Sequence, residues 1–345
     1  MKLSFSAFDL QLKYPFTIAN FSRTSTPLML TQIEHEGIVG FGEASMPPYL
    51  GESHQTAVDF LSKLNLKQFS SNPNIEEILN YVDAVAPGNP AAKASIDIAL
   101  HDLMGKLNDK PCYTLFNSQP NQMPVTSCTI GIDNPEIVKK KVLDAGEFRV
   151  LKVKLGGAND REMIETIRSI TDKPLYIDAN QGWRDKYEAL DKINWLAQHG
   201  AMFVEQAMPK TMIDENAWLT ENCPIPTFGD ESVQRFADVE KAKGVFSGIN
   251  IKLMKCTGML EASKMISRAR ELDLQVMIGC MSETSCAIMA AAALAPLCDY
   301  ADLDGPWLTV NKPFEDPVLN AGKIVLPQIA GLGIRHSYKM EINIG

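Results

Sequence analysis

The chain has 345 residues, 45% of them hydrophobic and 22% charged, enough apolar material for one large domain and a smaller one. Its 42 acidic residues outnumber 33 Lys and Arg, and the net charge of -9 with a pI near 5.2 argues against attraction to nucleic acid or anionic lipid. Seven Cys in no repeated metal-binding pattern suit a reducing compartment, and no apolar run has signal-peptide or membrane-span length, so a cytoplasmic protein without a membrane segment is expected.

Residues 1 to about 120 read as α+β. Strand-like runs cover Lys2 to Tyr14, Leu28 to His35 and Ile38 to Glu43, with a Glu36-Gly37 turn between the last two. Arg23 falls in a polar loop, and Pro47 to Glu52 reads as a second loop. Helical patterns follow at about 54–66, 73–84 and 89–107, the last opened by Asn89-Pro90.

From about 123 the pattern alternates. Strands are expected near 125–130, 149–155, 174–179, 202–205, 226–229, 248–253, 274–279 and 300–303, with helices near 134–145, 160–170, 185–198, 213–220, 232–242, 257–272 and 283–295. Eight strands separated by seven helices suit a closed α/β barrel, although an open sheet covered on both faces has the same local signal. Charges at the strand ends decide between them. Lys152 and Lys154, Asp178, Glu205, Asp230, Lys252, and Asp302 with Asp304 each stand where an apolar run stops, at intervals from Lys154 of 24, 27, 25, 22 and 50 residues. An open sheet gathers its site at one switch point, whereas a barrel gathers residues from every C-terminal strand end. After Trp307, Pro313, Pro317, Pro327, Gly331 and Gly333 suggest a tail that returns to the N-terminal part. The expected division is a capping domain over 1–120, a barrel over 121–306 and the returning segment over 307–345.

Asp178, Glu205 and Asp230 fall on neighbouring strands, where three converging carboxylates repel one another and call for a cation. All-oxygen ligation selects a hard ion, with Mg²⁺ the best fit and Mn²⁺ a substitute. None of His35, His54, His101, His199 and His336 falls at a barrel strand end, which argues against catalytic zinc. The plain alternative is that each acid caps the helix that follows it. Asn180, two residues past Asp178, is placed to bond a ligand or shape the loop.

Lys152 and Lys154 are two apart, so a strand turns both toward the barrel mouth while Val153 faces the helices. Two adjacent ammonium groups lower each other's proton affinity and hold one as a base. Lys252 lies four strands away, across the ring, so a small molecule between them meets Lys154 on one face and Lys252 on the other. That pairing suits proton removal from carbon on one face and return on the other, with a cation and Lys152 opposing the charge of an enediolate. A Schiff-base role for Lys252 is the competing reading, and it leaves the three carboxylates unexplained.

Asp302 and Asp304 repeat the two-residue spacing on the last strand, where an acidic pair could receive a substrate ammonium. With a carboxylate on the cation across the mouth, a dipeptide fits. Arg23 could take a carboxylate side chain on the second residue, and Tyr49 or Leu50 could wall the site.

These residues carry a resemblance along the whole chain. Lys-x-Lys at 152 to 154, Asp178-Ala-Asn, Glu205-Gln, Gly-Asp230-Glu-Ser, Ile-Lys252, Gly279-Cys-Met and Asp302-x-Asp304 resemble the enolase superfamily, its muconate-lactonizing branch, and within that the dipeptide epimerases. The resemblance implies a modified (β/α)7β TIM barrel under an α+β cap, one Mg²⁺ on Asp178, Glu205 and Asp230, and Lys154 and Lys252 as the acid/base pair. It also implies Asp302 and Asp304 as the grip on the dipeptide ammonium, and Arg23 as the contact of an Ala-Glu substrate, with murein peptide breakdown as the setting. Epimerases of other dipeptides, muconate cycloisomerases and o-succinylbenzoate synthases share much of the motif set; the Asp302-x-Asp304 pair argues against the last two. A non-catalytic dipeptide-binding protein is the remote alternative, and a homo-oligomer is left open.

Overall fold

In the computed structural model, which describes residues 1–18, 21–71 and 73–336, the N-terminal part is an antiparallel meander of β1 (Lys2–Ile18), β2 (Phe21–His35) and β3 (Ile38–Ser45). Glu36 and Gly37 are both left-handed, with φ of 52° and 77°, the pairing that joins two twisted strands in the fewest residues. The first hairpin is longer than the sequence suggests. After an irregularity between Gln11 and Phe16, β1 and β2 continue to pair, with Phe16 opposite Arg23 and Thr17 opposite Ser22. Arg23 therefore stands on a strand and not in a loop. Helices α1 (His54–Leu61), α2 (Ile75–Val85), α3 (Pro90–Leu107) and the short α4 (Cys112–Leu115) complete this part. The meander packs directly on α3: a Cβ on Gly42 would lie 1.9 Å from the Ser95 carbonyl oxygen, so only glycine permits this approach.

The second part alternates β4 (Ser127–Ile130), α5 (Pro135–Asp144), β5 (Val150–Lys154), α6 (Asp160–Arg168), β6 (Leu175–Asp178), α7 (Lys186–Gln198), β7 (Ala201–Glu205), α8 (Ile213–Asn222), β8 (Thr227–Gly229), α9 (Phe236–Ala242), β9 (Gly248–Lys252), α10 (Met259–Glu271), β10 (Gln275–Gly279), α11 (Ser285–Leu294) and β11 (Tyr300–Asp302). Strands β4 to β11 pair in parallel and in chain order. A parallel bridge from Thr126 to Ala301 brings the two ends of the sheet together, as expected of a modified (β/α)7β barrel.

Two-residue periodicity sorts each strand into wall and interior. Leu151, Val153, Ile177, Val204, Ile251 and Ile278 are buried. Their neighbours Val150, Tyr176, Phe203, Phe228 and Met277 form a separate apolar cluster. Within it, rings of Tyr176 and Phe203 stack with centroids 4.5 Å apart, and Phe203 meets Phe228 at the same distance. Two residues further along these strands stand Lys152, Asp178, Glu205 and Asp230. The aromatic layer thus plugs the barrel from below and leaves a charged layer above it.

Two carboxylates of the first part dock onto helix N-termini of the second. Asp97 of α3 accepts from Met259 N at 2.6 Å and Leu260 N at 3.1 Å at the start of α10. Gly258, with φ of 120°, allows this, since its Cβ would lie 2.3 Å from the Asp97 carboxyl carbon. Glu43 of β3 accepts from Thr284 N at 2.8 Å and from the Thr284 hydroxyl, at the start of α11. After β11 the described tail forms the small hairpin β12 (Leu319–Asn320) and β13 (Lys323–Ile324). The tail also touches the first part, bridging Thr309 to Leu12 and donating Leu332 N to Asp102 at 2.8 Å. Residues 337–345, included in the expected returning segment, lie outside the described residues. Among the described residues no helix is long and apolar enough to cross a membrane.

Candidate active site

A cavity of about 390 Å³ opens at the C-terminal ends of the barrel strands. Arg23, Tyr49, Lys154, Asn180, Asp230, Lys252, Asp302 and Asp304 line it, and Lys152, Asp178 and Glu205 are fully buried. Ligand oxygens of Asp178, Glu205 and Asp230 lie within 4.8 Å of one another.

Each of these three carboxylates divides its oxygens between two different residues. On Asp178, Asn180 N holds Oδ1 at 3.0 Å and Lys154 Nζ reaches Oδ2 at 2.6 Å. On Glu205, Asn250 Nδ2 holds Oε1 at 2.6 Å, while Lys152 Nζ lies 2.7 Å from Oε2 without hydrogen-bond geometry, leaving that oxygen unbonded. On Asp230, Lys255 Nζ holds Oδ1 at 2.5 Å and Lys252 Nζ reaches Oδ2 at 2.6 Å. The local backbone helps: Asn180, Gln181 and Gln206, just past the ends of β6 and β7, have φ of 44°, 63° and 39°, in the left-handed region. Gln206 Oε1 then accepts from Asp230 N at 3.0 Å and Ser232 N at 3.1 Å, tying the end of β7 to the loop after β8.

Burial would raise all three carboxyls, and the surrounding charges decide each outcome. Lys154 and Lys152 outweigh burial and lower Asp178, and Lys252 and Lys255 hold Asp230 well below the usual range. Glu205 is pushed up to about 7 by burial and then by Asp178. The lysines present do not fully offset the repulsion of the trio, and a hard divalent cation matches this all-oxygen donor set. One expectation is corrected here. Lys152 and its neighbours were expected to lower one another's proton affinity, yet Lys152 is raised well above its ordinary value, because Asp302, Glu205, Asp178 and Asp230 together outweigh burial.

Asp302 and Asp304 both face the cavity but not as twins. Asp302 accepts from Ser127 Oγ at 2.7 Å and from Lys152 Nζ at 2.8 Å, so Lys152 joins the acidic pair to the carboxylate trio. Asp304 lies beyond the strand, begins a 3-10 turn, and accepts from Thr129 N at 2.5 Å. Burial and the nearby Asp302 push it up to about 7.

Above the mouth, Arg23 donates to Ser282 Oγ at 2.8 Å and lies over Phe16 and Tyr49, 5.1 and 5.7 Å from the ring centroids. Its Nε and Nη1 are buried and find no hydrogen-bond partner among the described residues. Tyr49 stands in a 3-10 turn, Pro48–Leu50, and its hydroxyl meets Met281 Sδ at 3.2 Å. The sequence reading missed Asn250, Lys255 and Gln206. Asn250 was within its reach, since it shares the inward face of β9 with Lys252; the other two lie beyond strand ends and carry no periodic signal.

A barrel mouth that sets ammonium groups on both sides of a carboxylate trio belongs to enzymes that take a proton from carbon with the help of a cation. The chain belongs to the mandelate racemase/muconate lactonizing enzyme family of the enolase superfamily: residues 4–116 match its N-terminal domain and residues 136–339 the enolase C-terminal domain-like family. It is 52% identical over 335 residues to the L-Ala-D/L-Glu epimerase of Bacteroides thetaiotaomicron, covering 97% of this chain and 88% of that protein. Among solved structures it resembles the dipeptide epimerase of Enterococcus faecalis complexed with Mg and L-Leu-L-Tyr, at 32% identity, a TM-score of 0.87, and 97% and 99% of the two chains. It also resembles the substrate-liganded L-Ala-D/L-Glu epimerase of Bacillus subtilis, at 28% identity, a TM-score of 0.89, and 97% and 98% coverage.

Proposed function

We propose that the chain is a Mg²⁺-dependent dipeptide epimerase acting on Ala-Glu, which inverts the α-carbon of the C-terminal residue. The observation that carries the reading is the placement of Lys154 and Lys252 on β5 and β9, four strands apart in the ring, lining one cavity. One of them, as the free amine, takes the α-proton; the electron pair left on carbon delocalises into the substrate carboxylate; the other, as the ammonium, returns a proton to the opposite face. Lys152 stands beneath, fixed by Asp302 and Glu205, with its positive charge against that carboxylate. Asp178, Glu205 and Asp230 would hold the Mg²⁺, which when bound supplies further positive charge against the same group. Mn²⁺ would substitute.

Substrate choice rests on three further contacts. Asp302 and Asp304 receive the dipeptide ammonium, which sets this chain apart from cycloisomerase or synthase relatives. The two donors of Arg23 that are unpaired among the described residues match a carboxylate side chain bidentately. Tyr49 walls the mouth and Asn180 orients the carboxylate of Asp178. The division into a cap over 1–120, a barrel over 121–306 and a returning segment over 307–345 belongs to the same reading, as does a cytoplasmic setting, supported by seven free cysteines.

Incubation with a panel of L,L- and L,D-dipeptides in ²H₂O with Mg²⁺ tests the assignment. Deuterium should enter only the C-terminal α-position, fastest with Ala-Glu, and stop when the metal is chelated. Absence of exchange with every dipeptide, despite bound metal, would favour the cycloisomerase branch.

A further inference from the structure

A fourth lysine serves the mouth. Lys255 lies three residues past Lys252, in the turn that leaves β9, and its buried ammonium donates to Asp230 Oδ1 at 2.5 Å, to the Asp230 carbonyl at 2.7 Å and to the Asn250 carbonyl at 3.0 Å. An ammonium has three N–H bonds, so all of them are used. Lys255 has none left for a substrate, and its loss of a proton would strip a bond from a buried acceptor. Lys252 is built differently: among the described residues it makes one hydrogen bond, to Asp230 Oδ2 at 2.6 Å. The two lysines divide one carboxylate, a saturated one on Oδ1 and a lightly bound one on Oδ2.

Asp178 and Glu205 show the same division with a difference in charge. Asp178 Oδ1 and Glu205 Oε1 are fixed by neutral donors, the Asn180 amide N–H and the Asn250 side chain. Among the described residues, Asp230 alone of the three has both oxygens held by ammonium hydrogen bonds. Its Oδ2 is touched by Lys252, as Asp178 Oδ2 is touched by Lys154.

We propose that Lys255 is a positioning residue that pins Asp230 by its Oδ1 and main-chain oxygen, so that Oδ2 stays available to the divalent cation and Lys252 is not needed as the counter-ion of Asp230. The proposal rests on reading Asp178, Glu205 and Asp230 as the cation site. With a neutral residue at 255, Lys252 would be the nearest ammonium left to balance Asp230, and the same group would have to neutralise a ligand and exchange protons.

The test uses the full chain with Lys255→Met, Lys255→Gln and Lys255→Arg. Titration with Mn²⁺ alone, followed by electron paramagnetic resonance, reads the site without any dipeptide. Lys255→Met and Lys255→Gln should weaken Mn²⁺ binding by about 10- to 100-fold, the range seen when groups behind metal ligands are removed. Lys255→Arg, which keeps the charge, should recover most of it. At saturating metal, α-deuterium exchange in the neutral variants should fall most for the Ala-Glu stereoisomer whose exchange Lys252→Ala abolishes, and least for the other. Mn²⁺ binding within twofold of the unsubstituted chain, or an equal fall for both stereoisomers, would overturn the proposal. So would failure of both neutral variants to fold, which would make Lys255 a stabiliser of the mouth and not a positioner. An unsubstituted chain that binds no Mn²⁺ would instead overturn the reading on which the proposal rests.

Discussion

Lys152, fully buried, and Arg23, partly buried, are both cations carried on β-strands beside one cavity, and their surroundings could hardly differ more. Lys152 lies within 3.3 Å of carboxylate oxygens on Asp178, Glu205 and Asp302, and these charges hold its proton firmly. Arg23 bonds Ser282, has two donors unpaired among the described residues, and is lowered by burial against the opposing pull of Tyr49. The barrel mouth thus ties its ammonium groups to carboxylates, while the cap presents a guanidinium with two donors unpaired among the described residues. The difference suggests a division of labour in which the barrel fixes the reaction and the cap chooses the substrate. Charges fixed on the barrel strands act on any carbon acid that fits between them, whereas a guanidinium with spare donors rewards one particular partner.

The largest effects should come from the barrel side. Lys154→Ala and Lys252→Ala should each lower epimerisation by about 10²- to 10⁴-fold, the range for loss of a general acid or base. Each variant should keep α-deuterium exchange with the one stereoisomer that its remaining lysine faces. Measuring exchange separately for both stereoisomers of Ala-Glu decides the point; equal residual exchange in both would break the two-face scheme.

A smaller and more selective effect is expected from the cap. Arg23→Gln should reduce kcat/KM for Ala-Glu by about 10- to 100-fold, since a hydrogen bond to a charged group contributes about 1.5 to 3 kcal/mol. Dipeptides with an apolar second residue should change by no more than a few-fold. The ratio of the two, taken from competition assays, is the useful quantity. A uniform loss across substrates would mean that Arg23 supports the mouth and does not select.

The same contrast decides what could be read in the sequence. Barrel strands are covered on both faces, so their apolar runs stand out and the charges that end them mark the site. Asp178, Glu205 and Asp230 needed only strand assignment and the two-residue period. The outer part of the first hairpin, by contrast, packs little of either face: beyond Tyr14, where the expected strand ends, Pro15 is exposed and Phe16 and Thr17 are only partly buried, as are Arg23 and Ser25 on the partner strand. Without a buried face no alternation is selected, and a long ribbon reads as a loop. Lys255 was hidden for another reason, since its position in a turn gives it no face to be predicted for. Asp304 was placed on a strand that ends two residues earlier, at Asp302.

The seam between cap and barrel should respond to pH, with the smallest effect of the three. Glu43 is completely buried at the start of α11, and burial pushes its carboxyl up to about 7, against the opposing pull of Thr284 and the Ala287 N–H. Glu283, also buried, faces it and is pushed up to about 8 by burial and by Glu43 itself. An acid whose value is raised on folding favours the folded state while it is protonated. That contribution is complete below the unfolded value near 4.5 and disappears as pH rises through about 7. Its size is on the order of 3 kcal/mol. Glu43→Gln keeps an acceptor for Thr284 but cannot ionise, and it relieves Glu283 of a neighbouring charge. The variant should therefore gain stability relative to the unsubstituted chain between pH 5 and pH 8, by a few degrees in Tm. Thermal unfolding of both chains across that range measures the gap. A gap that stays constant with pH would show that Glu43 ionises as freely in the folded seam as in water, and that the cap is held by hydrogen bonds whose strength does not depend on its charge.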